Sequence, residues 1–237
     1  MSKLTSTLPP ASTGAVTDLL GLLAYAELLA FQRMAADATL APDLTRRAML
    51  CEMASLEIVN FRRIADRLAE LDVDVAEAMT PFGPALDSYH DQTEPNSWLE
   101  ALTKAYVGDS IANDFVREVA EFLGLADRRL VEEVLHGSRY GRFAADEIRG
   151  ALAAEPGSVD RLSMWARRLV GEAISQAQRV AAQRESFAEL LVGSGDVIGG
   201  DQIGGDQIGG DNVGVAAMLK RLTTAHTNRM SAVGLNN

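Results

Sequence analysis

The stretch EIVNFR, residues 57–62, sets two polar side chains three positions apart in a segment whose apolar spacing is helical. A helix turns by about 100° per residue, so Glu57 and Asn60 lie on one face, on either side of the apolar stripe. A histidine in place of Asn60 would give the Glu-x-x-His spacing with which one helix supplies two ligands to a metal. Three alternatives follow: a metal site with one ligand changed, a metal site that has been lost, or an ordinary amphipathic helix.

The composition of the whole chain favours a helical protein. Its 237 residues are 47% hydrophobic and only 5% aromatic, and alanine, leucine, arginine and glutamate are abundant. This is enough apolar material for one sizeable core or two small ones. The formal net charge of -11 repels polyanions, and the arginine pairs stand among acidic residues, as on solvated helix faces. A nucleic acid such as tRNA is therefore a disfavoured partner.

The cysteine content and the apolar runs indicate the cellular compartment in which the protein occurs. Cys51 is the only cysteine, which excludes an intrachain disulfide and fits a reducing environment, and its apolar neighbours predict that it is packed. Residues 1–13 lack the basic-then-apolar order of a signal peptide. The most apolar run, residues 19–31, is too short to span a bilayer and carries Glu27 in its middle. We therefore expect a cytoplasmic protein without a membrane contact.

Apolar residues recur at helical spacing along most of the chain. After a flexible arm at residues 1–13, this pattern predicts helices at residues 14–37, 43–71, 97–123, 126–154 and 159–191. The intervening residues 72–96 contain three prolines and are expected to form an irregular crossover. Two helix hairpins joined by a long crossover define the topology of ferritin-like four-helix bundles. The predicted fold class is therefore all-α, a ferritin-like bundle over residues 14–191 with extra C-terminal helices.

The composition changes abruptly beyond the bundle. Residues 192–214 repeat the pattern D-x-[IV]-G-G, and this density of glycine is not compatible with a helix. A calcium-binding roll or a β-solenoid rung would need a more regular or longer repeat, so a flexible linker is the preferred interpretation. Residues 215–237 then predict a terminal helix that docks on the bundle.

Several polar residues fall within the apolar stripes that should face the bundle interior. Glu27 lies among leucines of the first helix, and Asp109 lies in the stripe of the third. Folding each hairpin about its turn places Glu27 about one turn from Glu57, and Asp109 level with Tyr140 of the fourth helix. A buried carboxylate is costly unless it is paired. These groups, with Asn60, therefore predict either a polar network that shares protons or a metal site.

The fourth helix does not complete a metal site. At the matching depth the helix carries Tyr140, and the positions near the centre of its apolar stripe hold Gly137 and Gly141. The sequence Glu133-x-x-His136 occurs slightly earlier, but both side chains point well away from the apolar stripe, and we interpret it as a coincidence. Tyr140 either fills the volume of the missing ligand and hydrogen-bonds Glu57, or lies at the partly exposed edge of the helix.

These features resemble one known family. The stretches LLGLLAYAEL, LEIVNF, WLEALTKAYVGDSIANDF and WARRLVGEAISQAQRVAAQRE, with the terminal LTTAHTNRMSAVGL, are similar to ferritin-like proteins related to the tRNA hydroxylase that acts on 2-methylthio-isopentenyl-adenosine. The resemblance covers residues 14–192 and 215–235 and leaves out the glycine-rich repeat. It implies a ferritin-like fold whose relatives carry a di-iron centre.

The ligand set that the resemblance implies is incomplete in this chain. In di-iron proteins of this fold, two helices each give a glutamate and two each give Glu-x-x-His. At most three carboxylates and no imidazole remain here, and an all-oxygen set favours hard cations over iron. The correspondence implied is Glu27 and Glu57 for the first two glutamates, Asn60 for the first histidine, Asp109 for the third glutamate, and Gly137 and Tyr140 for the last glutamate and histidine.

Three functions are compatible with these observations. The preferred hypothesis is a degenerate ferritin-like bundle with a binding or scaffold role and no cofactor, whose partner is an unknown protein or a second copy of the chain. One alternative is a di-iron hydroxylase acting on a modified tRNA base, and another is a protein with a single divalent metal. The candidate residues of this vestigial or weak metal site are Glu27, Glu57, Asn60, Asp109 and Tyr140.

Overall fold

The computed structural model describes residues 12–135, 138–183 and 210–236, and all regular secondary structure within these ranges is helical. A five-residue π-helical segment, Ala105–Asp109, joins two of the helices. The helices are α1 (Thr13–Asp37), α2 (Leu44–Glu70), α3 (Val75–Met79), α4 (Gly83–Gln92), α5 (Trp98–Lys104), α6 (Ser110–Ala120), α7 (Leu125–Val134), α8 (Ser138–Ala154), α9 (Val159–Gln183) and α10 (Gly210–Ala232).

Two hairpins form the bundle. Helices α1 and α2 pack along their length as the first, and the second runs out through α5, the π-helical segment and α6 and returns through α7 and α8. The short helices α3 and α4 lie in the crossover, where α3 contacts α1 and α4 contacts α9. Helix α10 packs on α6. The predicted all-α architecture is therefore confirmed for the described part of the chain.

The apolar core has two main parts, and α10 contributes to both. The first part surrounds α1 and reaches the crossover and α7, and the second lies between α5, α8 and α9. Burial of this apolar surface is the main term that holds the helices together. Fully or almost fully buried side chains include Leu19, Leu20, Ile64, Leu68, Phe82 and Met218 in the first part, and Leu102, Ile148, Leu162, Leu169 and Met230 in the second.

The crossover is mostly helical, so the expectation of an irregular segment at residues 72–96 is wrong. Its prolines explain the difference, because two of them stand in the first turn of a helix and not inside one. Pro81 opens the 3-10 turn Thr80–Phe82, and Pro84 lies at the start of α4. At these positions the missing proline N–H costs nothing, since the first N–H groups of a helix have no acceptor within it.

The second hairpin is less continuous than the sequence predicts. A single helix was expected at residues 126–154, whereas α7 ends at Val134 and α8 begins at Ser138. Residues 136 and 137 between them lie outside the described residues, as does the end of the predicted fifth helix beyond position 183.

Replacing Ser97 with alanine is expected to lower the free energy of unfolding by about 1 kcal/mol. Ser97 caps α5: its hydroxyl oxygen accepts from the N–H of Glu100 at 3.3 Å, and the Glu100 carboxylate accepts from the N–H of Asn96 at 2.8 Å. Both N–H groups lack an acceptor within the helix. Urea denaturation measures the loss. Ser55→Ala on the exposed face of α2 is the matched control, and equal effects of the two changes would contradict the capping role.

Helix α10 lies against the bundle through both of its halves. It begins at Gly210, five residues before the predicted boundary at 215, because the first turn of a helix tolerates glycine better than its interior does. At its other end, Gly234 has a φ of +82°, which turns the chain back so that Leu235 is buried. The N–H of Asn236 then donates to the hydroxyl of Ser163 on α9 at 2.9 Å.

Helix α1 with the turn that follows it, Thr13–Leu40, is long and apolar enough to cross a membrane by length and composition, with a mean hydropathy of 1.5. The expectation that this segment is too short is therefore wrong, because the helix extends beyond the apolar run at both ends. Of its most apolar window, 56% is buried inside the protein, and core helices pass the same test. That the protein makes no membrane contact stays a prediction.

The outer face of α2 carries several apolar residues, including one that the sequence predicts to be packed. Cys51 is exposed, so the prediction that it packs in the core is wrong. Leu56 and Val59 are also about half exposed, at 51% and 50%. Helix α2 buries only a narrow stripe, which includes Leu50 and Ile64, and neighbouring apolar residues remain at the surface.

Candidate functional site

A cavity of about 1000 Å³ that is partly open to solvent lies between the helices of the bundle. Most of the side chains that line it are apolar and come from α1, α6, α9 and α10, and polar side chains are grouped at separate places on its wall. A second, smaller hollow of about 210 Å³ lies on α2 and is lined mainly by its methionines and leucine. The polar residues relevant to function line the larger cavity: Glu27, Glu57, Asn60, Asp114, Tyr140 and Arg229.

Glu27 and Asn60 meet at the cavity wall, as the helical stripes predict. The Asn60 amide nitrogen donates to the Glu27 carboxylate at 3.2 Å and to the backbone carbonyl of Val134 at 3.4 Å. Both partners offer oxygen acceptors, so the side-chain amide of Asn60 must turn its nitrogen, and not its oxygen, toward them. Glu27 is only 7% exposed, so this hydrogen bond links α1, α2 and α7 inside the bundle.

Glu57 and Tyr140 line the same cavity. Glu57 is half-buried one turn before Asn60. Tyr140 is 8% exposed and packs with Met34 and Leu50, and its ring centroid lies 6.4 Å from that of Phe143. The alternative of a partly exposed edge position for Tyr140 is therefore wrong, and the ring fills volume in the interior.

Three further residues that the sequence analysis considered have side chains that the structure does not describe. Nothing is described of the side chain of Asp109, of Gly137, or of His136 in the Glu-x-x-His stretch. Glu133 is exposed and forms an ion pair with Arg63 at 2.5 Å, as its direction away from the apolar stripe predicts. The Glu133 carboxylate is thus held at the surface by a pair across α2 and α7.

The π-helical segment contributes Ala105, Tyr106 and Gly108 to the wall of the cavity. A π-helical turn adds a residue to the helical repeat and is frequent at functional sites. Gly108 within it approaches Tyr89 so closely that a Cβ at this position would lie 2.5 Å from the tyrosine hydroxyl oxygen. The segment ends at Asp109, so it also sets the direction of the α6 residues that follow.

Arg229 of α10 reaches the cavity through contacts that the sequence analysis missed. Its guanidinium forms an ion pair with Asp114 of α6, and Asp114 also lies 3.6 Å from the guanidinium of Arg117. The hydroxyl of Tyr106 donates to the backbone carbonyl of Arg229 at 3.3 Å. One turn earlier, His226 is 3% exposed, and its pKa is lowered by burial and by the charge of Arg229. No local pattern marks Arg229, because its partner is more than a hundred positions away in the chain.

A metal ion requires several donor side chains that lie close together. Among the residues whose side chains the structure describes, no three histidine, cysteine, aspartate or glutamate groups come close enough together to hold a metal ion. Four of the predicted site residues line the cavity, namely Glu27, Glu57, Asn60 and Tyr140, and a hydrogen bond joins Asn60 to Glu27.

The fold and the cavity define a helical-bundle protein with a partly open site whose walls are both apolar and polar. Residues 11–194 match the family described as ferritin-like domain, actinomycetes, and the chain belongs to this family. The ferritin-like fold predicted from the two hairpins and the crossover is therefore confirmed. No curated protein matches the chain.

Proposed function

We propose that this protein is a divergent relative of the di-iron tRNA hydroxylases whose metal site has eroded, and that it works by binding within the bundle. The observation that carries the proposal is the hydrogen bond from Asn60 to Glu27. In the correspondence that the sequence resemblance implies, these two residues stand at positions of two iron ligands. Here they bind each other.

Donor chemistry argues against a pair of iron ions at this position. The nitrogen of an amide has no free lone pair, and that of Asn60 already donates to Glu27 and to the Val134 carbonyl. The described side chains supply two carboxylates and no imidazole, whereas ferritin-like iron pairs use four carboxylates and two imidazoles. Even with Asp109 as a third carboxylate, the set does not balance the four positive charges of two ferrous ions.

The cavity supports a binding role. A volume of about 1000 Å³ with mostly apolar walls and a few grouped polar side chains is typical of small-molecule sites. In such a site the Glu27–Asn60 pair acts as a fixed polar element, because the hydrogen bond holds both side chains in place. A polar element fixed in this way can orient a bound ligand, and no electron transfer or oxygen chemistry is required of it.

Iron content tests this proposal directly. Protein produced aerobically with iron supplied is expected to contain substoichiometric iron and to lack the near-ultraviolet absorption of an oxygen-bridged iron pair. About two irons per chain together with that absorption would overturn the proposal in favour of a hydroxylase. About one divalent metal per chain would also overturn it, in favour of a single-metal site.

Restoring the missing ligands provides the reciprocal test. The combined variant Asn60→His, Gly137→Glu and Tyr140→His is expected to take up more iron than the parent protein, because it adds two imidazoles and a carboxylate at the positions implied by the resemblance. Asn113→His is the matched control, since it puts an imidazole in the same cavity at another place. Equal uptake by both variants would contradict the assignment of the vestigial site.

A further inference from the structure

We infer that the ligand of the cavity is an amphipathic carboxylate, held with its acid group at Arg229 and its apolar chain along the walls formed by α1, α9 and α10. This inference rests on the binding function proposed above and specifies the ligand of that same cavity. It depends on the unused hydrogen-bonding capacity of buried groups, on the distribution of charge over the cavity wall, and on the apolar lining.

Arg229 has a buried donor to spare. Its Nη2 donates to the carboxylate of Asp114, whereas its Nη1 is buried and has no acceptor. A buried guanidinium N–H without an acceptor is unfavourable, and an added carboxylate removes this cost with a charge-assisted hydrogen bond. Arginine is also the side chain best suited to a carboxylate, since its planar fork can present two N–H groups.

A second buried polar group points to a ligand that is not purely hydrocarbon. Gln176 of α9 lines the cavity at 5% exposure, and its nitrogen donates to the hydroxyl of Ser88 at 3.4 Å. Its carbonyl oxygen is buried without a donor. Exchanging the amide oxygen and nitrogen would satisfy the oxygen and leave the nitrogen unused, so either orientation retains one buried group that a polar ligand atom can satisfy.

The charges on the cavity wall are separated. The lining residues on α6, α8 and α10 include four arginines, Arg117, Arg142, Arg149 and Arg229, and two aspartates, Asp114 and Asp146. The lining residues on α1 and α2 include the two carboxylates Glu27 and Glu57 and no arginine or lysine. An anionic group is therefore attracted to the α10 side and repelled from the α1 side, which fixes the direction in which the ligand lies.

Apolar side chains accommodate the rest of the molecule. Leu22 and Leu23 of α1, Ile174 and Val180 of α9, and Met218 and Leu222 of α10 line the cavity. A hydrocarbon chain placed among them leaves water, and each buried methylene adds to the affinity. The partner chemistry is therefore a single carboxylate on a flexible apolar chain.

Three probes with the same chain and different head groups test the inference on the full-length protein. Lauric acid, lauryl alcohol and lauryl amine are titrated by calorimetry or by displacement of a fluorescent analogue. Lauric acid is expected to bind at least about tenfold more tightly than the alcohol, because only the acid forms a charge-assisted hydrogen bond with Arg229. The amine is expected to bind most weakly.

Two arginine variants on α10 show where the head group binds. Arg229→Gln is expected to remove the preference for the acid, whereas Arg221→Gln should keep it. Arg221 is a matched control, since its guanidinium is held outside the cavity by Glu118. Ala173→Trp, which fills part of the cavity wall, should weaken all three probes. Circular dichroism and thermal melting establish that each variant is folded.

The possible outcomes separate the two proposals. Equal affinity for the acid and the alcohol, or an unchanged preference in Arg229→Gln, overturns the assignment of Arg229 and leaves a binding function intact. No binding of any probe to the folded protein overturns the ligand class. Only the iron measurement decides whether the metal site has been lost. A failure of the carboxylate proposal therefore leaves the proposal of an eroded metal site unaffected.

Discussion

Replacing Gly21 with alanine is expected to lower the free energy of unfolding by about 2–4 kcal/mol. Gly21 lies in the middle of α1 where α3 crosses it, and a Cβ at this position would stand 2.3 Å from the carbonyl oxygen of Ala78 and 2.8 Å from its carbonyl carbon. Both are backbone atoms, so the contact is relieved only when α3 moves away from α1. The better helix propensity of alanine offsets about 1 kcal/mol of this cost and does not reverse it.

Gly171→Ala is the matched control for this change. Gly171 lies within α9, and a Cβ there would meet nothing within 4 Å. The substitution is therefore expected to stabilise the protein by up to about 1 kcal/mol through helix propensity alone. Urea denaturation and melting temperature measure both variants. Similar behaviour of the two alanines would contradict the close approach of α3 to α1.

Gly21 also illustrates what the sequence could not reveal. Within the run LLGLLAYAEL a glycine reads only as a weak point in an apolar helix. A residue without a Cβ is needed there because the crossover helix α3 passes directly over it. The sequence predicted this part of the crossover to be irregular, because of its prolines. The placement of a short helix on a long one depends on distances that no local pattern contains.

The convergence of Glu27 and Asn60 was predictable, because it depends on regular helices and not on the position of a short crossover helix. Both residues lie on long, regular helices joined by a short turn, so helical geometry fixes their direction and the turn fixes their depth. The same reasoning placed Tyr140 at the depth of Asp109 but left open whether its ring points inward or lies at an exposed edge. It failed for Arg229, because α10 follows a long glycine-rich repeat and the register in which it docks on α6 cannot be read from spacing.

The π-helical segment marks a further limit of periodicity. Residues 97–123 read as one continuous helix at 100° per residue, yet the repeat changes between Ala105 and Asp109 and the direction of α6 shifts with it. Asp114, which forms an ion pair with Arg229 at the cavity wall, follows this shift. Side-chain directions derived from a regular helix are thus reliable before the segment and not after it.

The second large effect is expected from His90 at the end of α4. The pKa of His90 is lowered to about 3, first by burial and then by the charges of Lys104 and Arg33. Between about pH 6.5 and pH 3 the unfolded chain binds a proton on this imidazole that the folded protein does not bind. The stability of the fold therefore decreases as the pH falls through this range, by a contribution on the order of 5 kcal/mol.

Asp37 opposes this effect within the same cluster. Burial raises its pKa to about 6, with a further increase from Glu94, while Lys104 and Arg33 act in the other direction. Between about pH 4 and pH 6 the folded protein binds a proton on Asp37 that the unfolded chain does not bind. Protonation of Asp37 therefore adds stability as the pH falls, on the order of 2–3 kcal/mol, and offsets much of the loss at His90.

Separating the two groups should give opposite changes in acid sensitivity. His90→Gln is expected to make the protein more stable at about pH 4.5 than at about pH 7.5, because only the Asp37 contribution remains. Asp37→Asn is expected to do the reverse, with a steep loss of stability below about pH 6.5 and a gain on the order of 2 kcal/mol at about pH 7.5, where the parent protein buries a charged carboxylate. The free energy of unfolding in urea at each pH measures both. Parallel pH profiles for the parent and the two variants would show that neither group is buried as the structure places it, whereas a profile for the double variant flatter than either single one would establish that these two residues carry the pH dependence of the cluster.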